Sequence, residues 1–275
     1  MKHAILDSHA CTKRGMMNKE KSQADNGKEA IVESIKLSAK NGTVANALAN
    51  LIKEFAPMLA RVVEAVRRMP EAMQKALICL ANEGWYLDWK EMSLSEPAEL
   101  AQMYLDGRSQ EVDAQLVEHF TKRLPSIEQE LIGLYPKRAD IFRQAFDAHR
   151  QGMFYVSVPT FLAQSDGICE DVLQEQFFQK PRGAKHHFEK LSDLDPLTKA
   201  MLAPFLDKTA IRLSKEVRPL DFNKLNRHQV LHGESCDYGT EVKALQAISF
   251  VYYVAVTLDE VLERHRDFFF EGEGV

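Results

Sequence analysis

His228 and His232 stand four residues apart in the stretch LNRHQVLHGESCDYGT, Leu225 to Thr240. Four residues turn an α-helix through about 400°, which sets the two imidazoles about 40° apart on one face and one turn along it, a geometry that suits a metal ion. The zinc-protease signature H-E-x-x-H adds a carboxylate directly after the first histidine to activate the bound water. Here that position holds Gln229, which cannot accept a proton. A third ligand would have to come from Glu234 or from a carboxylate distant in sequence.

Arg227 and His232 form a second combination. One continuous helix would hold them about 140° apart and about 7.5 Å along the axis, so it does not aim both at one point. They converge if the segment begins as a turn, or if a two-fold dimer brings two copies of the motif together. Histidine takes up and releases a proton near neutral pH, and arginine offers a permanent charge on a planar fork that matches phosphate oxygens. These are components for RNA cleavage, in which the ribose 2′-hydroxyl attacks the adjacent phosphate and a positive group steadies the developing charge.

The run NRHQVLHGES resembles the R-x4-6-H signature of HEPN ribonuclease domains, with a polar residue, His228, directly after the arginine. In that family the motif comes late in a small helical bundle, at the start of a terminal helix, and here it precedes a long apolar run from Thr240. The upstream segment MFYVSVPTFLAQSDGICEDVL is similar to the paired earlier helices of bacterial members, which often carry an acidic residue where this chain has Asp166. The resemblance covers about residues 137–270.

The resemblance implies a metal-independent endoribonuclease that needs no cofactor and acts as a homodimer with a composite site. Prokaryotic members are commonly toxins or antiviral defence effectors that cut RNA in abortive infection. Carried onto this chain, His232 is the general base or acid, Arg227 the phosphate clamp, and His228 and Asn226 positioning groups, with Asp166 orienting Arg227 or His228. A regulatory protein or an activating ligand is a further partner to expect. Two other functions stay open: a noncatalytic HEPN-like adaptor, in which the same residues brace helices, and a metal-binding helical protein that uses His228 and His232.

The elements that must position these residues are helical. Leu48, Leu51, Ile52, Phe55, Leu59, Val62, Val63 and Val66 recur at three- and four-residue steps, with Pro57 expected to interrupt and Pro70 to end one helix and open the next. Gly84 is placed to close that next helix, and Trp85, Tyr86 and Trp89 crowd aromatic surface into a core anchor or a stacking platform. Short amphipathic helices follow, divided at Pro125 and Pro136, then a face through Ile141, Phe142, Ala145 and Phe146 before a break at Gly152.

Residues 179–196 read as a long, charged loop whose Arg182, Lys185, His186, His187 and Lys190 are the local candidates for phosphate contact. Residues 197–214 read as a helix. The strongest helical pattern runs from Thr240 through Leu245, Ile248, Tyr252, Ala255, Leu258 and Leu262, the spacing of a helix inside a bundle. Gly233 and Gly239 flank Tyr238 in a turn, where Tyr238 is either structural or a base-stacking residue, and Thr240 or Ser235 is placed to cap the helix. The expected architecture is all-α: a mobile arm over 1–28, an N-terminal helical domain over 29–136 with a sensor or regulatory role, and a C-terminal helical bundle over 137–275.

The chain has 275 residues, 45% of them hydrophobic, enough for a buried core in one large or two modest domains. With 35 basic against 40 acidic residues no global positive field draws in nucleic acid, so RNA contact requires local basic patches. Cys11, Cys79, Cys169 and Cys236 are too few and too dispersed for a disulfide framework, which fits a reducing compartment. The N-terminal stretch lacks the apolar core of a signal peptide, and no run approaches about 20 uninterrupted apolar residues, so a cytoplasmic protein without membrane contact is expected. P-loop, Rossmann and nucleophile-elbow motifs do not occur, which argues against the chemistries they carry.

Overall fold

The structure, a computed structural model, describes residues 42–175, 185–193 and 195–265 and the single positions 33 and 36. The arm expected over 1–28 lies outside them. The described residues are all-α, with no strand: α1 (Thr43–Glu83), α2 (Glu96–Leu105), α3 (Ser109–Leu134), α4 (Ala139–Arg150), α5 (Phe154–Leu173), α6 (Lys185–Ser192), α7 (Pro196–Leu206), α8 (Arg227–Leu231) and α9 (Glu241–Arg264). Short 3-10 turns lie at Pro136–Arg138 and Ala210–Arg212.

The chain divides into two units, Met1–Arg67 and Arg68–Val275. In the first, the described helix carries Leu51, Ile52, Phe55, Met58, Leu59 and Val63 as exposed side chains. α1 continues through Pro57 and Pro70, where sequence reasoning expects breaks. Proline removes one hydrogen bond and crowds the preceding turn, a local cost that the hydrogen bonds on both sides of it can carry. α3 likewise runs through Pro125 as one helix, held on either side by Phe120 and Ile127, both fully buried.

The second unit is built around α9. The apolar spacing predicts one buried face, yet every residue from Ala244 to Leu258 is buried, because α5, α3 and α7 all pack against this helix. Burial on all sides strands polar atoms unless each finds a partner. Gln246 Nε2 donates to the Glu83 carbonyl at 3.0 Å, Ser249 Oγ to the Gln246 carbonyl at 2.8 Å, and Thr257 Oγ1 accepts from Trp89 Nε1 at 3.0 Å. Tyr252 and Tyr253 place their hydroxyls on Glu130 and on the Met201 carbonyl. By length and composition α9 could cross a membrane, and 83% of its most apolar window lies inside the bundle.

Trp85 is the core anchor: it stacks on Phe120 with ring centroids 5.8 Å apart and donates to Asp113 at 2.8 Å. Asp88, 0% exposed, lies 3.1 Å from His119 Nε2 and 2.8 Å from Arg123 Nε. Burial opposes its charge, but those two hydrogen bonds prevail and hold its carboxyl below the usual range. On α4 the buried face is Phe142, Ala145, Phe146 and His149, with Ile141 exposed.

One core therefore runs from Met73 to Val261, and the division expected at residue 136 falls inside it. α3 lies on one side of that division and packs on α4 and α9 on the other, through Ile127, Leu131 and the Glu130–Tyr252 hydrogen bond. The expected loop over 179–196 contains α6, and the helix expected over 197–214 stops at Leu206, where Asp207 turns extended. Asp195 caps α7 by accepting from the Leu197 and Thr198 amides, both at 2.9 Å.

Candidate functional site

α8 is only five residues long, so its position depends on its two ends. At the start, the Asn226 side chain accepts from the Gln229 amide at 3.0 Å and donates to the carbonyls of Ala210, at 2.8 Å, and Leu213, at 3.0 Å. Asn226 is 1% exposed, and it positions the motif by capping α8 and tying it to the 3-10 turn behind. At the end, Gly233 adopts φ +69°, its amide donates to the Val230 carbonyl at 3.2 Å, and the Glu234 amide reaches back to Gln229 at 2.8 Å. This is the left-handed helix stop that glycine favours. Leu225 and Val230 anchor the segment in the core.

Held in this way, α8 packs on α5 and presents the motif at the surface. Arg227 Nη2 lies 2.8 Å from Asp166 Oδ2 of α5, both side chains mostly buried. His228 Nε2 lies 3.2 Å from Glu234 Oε1, and the other oxygen of Glu234 accepts from Arg218 Nη2 at 2.8 Å. The Arg218 hydrogen bond holds the Glu234 carboxyl below its ordinary range. The His228 and His232 rings are 4.3 Å apart between centroids, and His232 is exposed at the helix end.

The turn after the motif is fixed from α5. Tyr155 donates through its hydroxyl to the Cys236 carbonyl at 3.0 Å, and its ring meets that of Tyr238 edge-on at 5.1 Å. Tyr238 returns a hydrogen bond to the Tyr155 carbonyl at 3.3 Å. A β-carbon on Gly239 would overlap the Tyr155 ring, so glycine is required there by close approach. Thr240 then caps α9 by accepting from the Lys243 amide at 3.3 Å.

The structure thus gathers Arg227, His228, His232, Asn226 and Asp166 around α8, with Tyr238 held against Tyr155 beside them. It places His186 and His187 on α6, whose main packing partner is α7, whereas α8 packs on α5 and the Ala210–Arg212 turn. Arg182 lies outside the described residues, as does the side chain of Lys185. Among the described residues, the His, Cys, Asp and Glu triple whose ligand atoms all lie within 4.8 Å of one another is Glu175, His186 and His187, with no such set around His228 and His232. Sequence reasoning missed Arg218 and Tyr155. Each reaches the motif only through the fold, and no local spacing marks either one.

What the arrangement offers chemically is an exposed imidazole, a second imidazole with a carboxylate partner, and an arginine steadied by Asp166. No family model matches the chain, and comparison with curated proteins and with solved structures gives no match.

Proposed function

We propose that the protein is a metal-independent endoribonuclease of HEPN type. The observation that carries this reading is the ion pair of Arg227 with Asp166 on a short capped helix that ends in an exposed His232 and leads into the bundle's central helix. In the proposed reaction His232 takes the proton of a ribose 2′-hydroxyl, or returns one to the leaving oxygen. Arg227, aimed by Asp166, carries the charge that develops on the phosphate, and His228, aimed by Glu234, adds a second positive group when protonated. No cofactor is needed. A homodimer supplies two copies of the motif to one composite site, and the protein acts in the cytoplasm as a toxin or antiviral defence effector on RNA, under a regulatory partner or activating ligand.

Purified wild type and His232→Ala are incubated with total RNA in EDTA and the fragment ends mapped. The expected outcome is cleavage by wild type that leaves 2′,3′-cyclic phosphate ends, reduced by about 100-fold or more in the variant, the usual weight of a general acid or base. Cleavage unchanged by the substitution, or abolished in EDTA and restored by metal, overturns the reading.

A second reading draws on the same contacts. Arg227 and His228 each have a carboxylate partner, as residues that brace an interface between helices do. A noncatalytic helical adaptor of this kind leaves RNA intact with or without His232.

A further inference from the structure

Away from α8, three side chains of metal-ligating type meet where α5 ends and α6 begins. Glu175 lies two residues past the end of α5, after Gln174, the one non-glycine residue with a positive φ among those described. His186 and His187 stand in the first turn of α6. One ligand atom from each, a carboxylate oxygen and two imidazole nitrogens, lies within 4.8 Å of the other two, and all three residues are half-buried. The two imidazole rings are 3.9 Å apart between centroids and inclined at 48°.

We propose that Glu175, His186 and His187 form a binding site for one divalent cation of the zinc class. Two nitrogens and one carboxylate oxygen are a donor set that zinc accepts, and they exceed what magnesium or calcium, which favour oxygen, would select. Ligand atoms around a zinc ion at about 2.1 Å sit roughly 3.4 Å apart, so the three converge by side-chain rotation without a shift of helix. Three protein ligands leave a fourth position for water.

Metal binding needs imidazole in its neutral form. Burial pushes the His187 ring below its ordinary proton affinity, His186 and Lys190 add to that, and only Glu175 opposes it. The bound ion would tie the end of α5 to the start of α6 across the intervening chain. This inference does not rest on the ribonuclease reading, since it uses none of the residues gathered around α8.

The full chain, stripped with EDTA and dialysed, is titrated with Zn2+ by calorimetry and with Co2+ by visible absorption. One Zn2+ per chain is expected, with tetrahedral Co2+ bands, and affinity falling by about 100-fold or more in Glu175→Gln and in His187→Asn. His187→Cys restores binding and adds a thiolate-to-cobalt charge-transfer band, which separates loss of a ligand from loss of the fold. His228→Ala/His232→Ala retains the stoichiometry and the affinity. No binding by wild type, binding indifferent to Glu175 and His187, or binding lost with His228 and His232 overturns the proposal.

Discussion

His149 is buried in α4 at 6% exposure, its ring beside Phe154 and its Nδ1 without a hydrogen-bond partner among the described residues. Burial, with help from the neighbouring Arg150, pushes its pKa down to about 4. A histidine depressed in the folded state is protonated first in the unfolded chain, near pH 6.5. Its site therefore costs nothing above that pH, and stability falls as pH drops from about 6.5 toward 4. At pH 5 the loss is about 2 kcal/mol, at 1.36 kcal/mol for each pH unit. Urea unfolding of wild type and His149→Leu at pH 7.5 and pH 5 measures it: the gap between the two pH values should shrink by about that amount in the variant, while the shared carboxylates titrate alike in both. At this scale the sequence was a good guide where a motif is local. Arg227, His228 and His232 stand together because they fall within six consecutive residues of one segment, and Asp166 is marked only by a family resemblance. Arg218 and Glu234 pair across sixteen positions without any repeat to reveal them, and Asn226, expected as a positioning group, spends its side chain on a cap and two carbonyls that no spacing marks.

Helical periodicity foretold most of the elements, and proline was the least informative signal within them. A rule that stops helices at proline weighs a local cost of about 3 kcal/mol. It does not see that Phe120 and Ile127 are each fully buried on either side of Pro125, with about 1.5–3 kcal/mol to lose apiece if the helix ended. The turn between α8 and α9 shows the opposite case, in which a local residue choice is dictated from far away. Gly239 is small because Tyr155, from the start of α5, occupies the space a side chain would need. Replacing Gly239 with alanine should displace the Tyr155 ring, break its hydrogen bond to Cys236 and lower stability by about 1–3 kcal/mol. Thermal unfolding of Gly239→Ala beside Tyr155→Ala/Gly239→Ala checks this, because the double variant should recover part of the loss that clash causes.

Across the whole molecule, the division into units was the part of the organisation the sequence concealed. Charge, proline and turn residues cluster near residue 136, so a boundary there is the natural reading of composition. Burial overrides it: the second unit runs from Arg68 and has one core to which α1, α2 and α3 contribute Leu77, Leu80, Leu100 and Phe120, and the connection after α1 contributes Trp85. A chain of residues 68–275 should unfold cooperatively in urea with a single transition. A chain of residues 137–275 lacks α3 and Trp85, uncovers one side of α9, and should show no such transition. A cooperative transition in the shorter chain would restore the division at residue 136.

The placement of α9 has a bearing on how the molecule comes into being. α9, which α3, α5 and α7 cover, is synthesised after all three of them. Until then those helices present apolar faces with nothing between them, and the contacts that will close the core span much of the chain, which slows folding. Synthesis thus sets a waiting period in which the motif's helix α8 is already translated but the bundle that seats it is not. The segment that carries Arg227 and His232 is therefore seated against its bundle only once α9 has arrived.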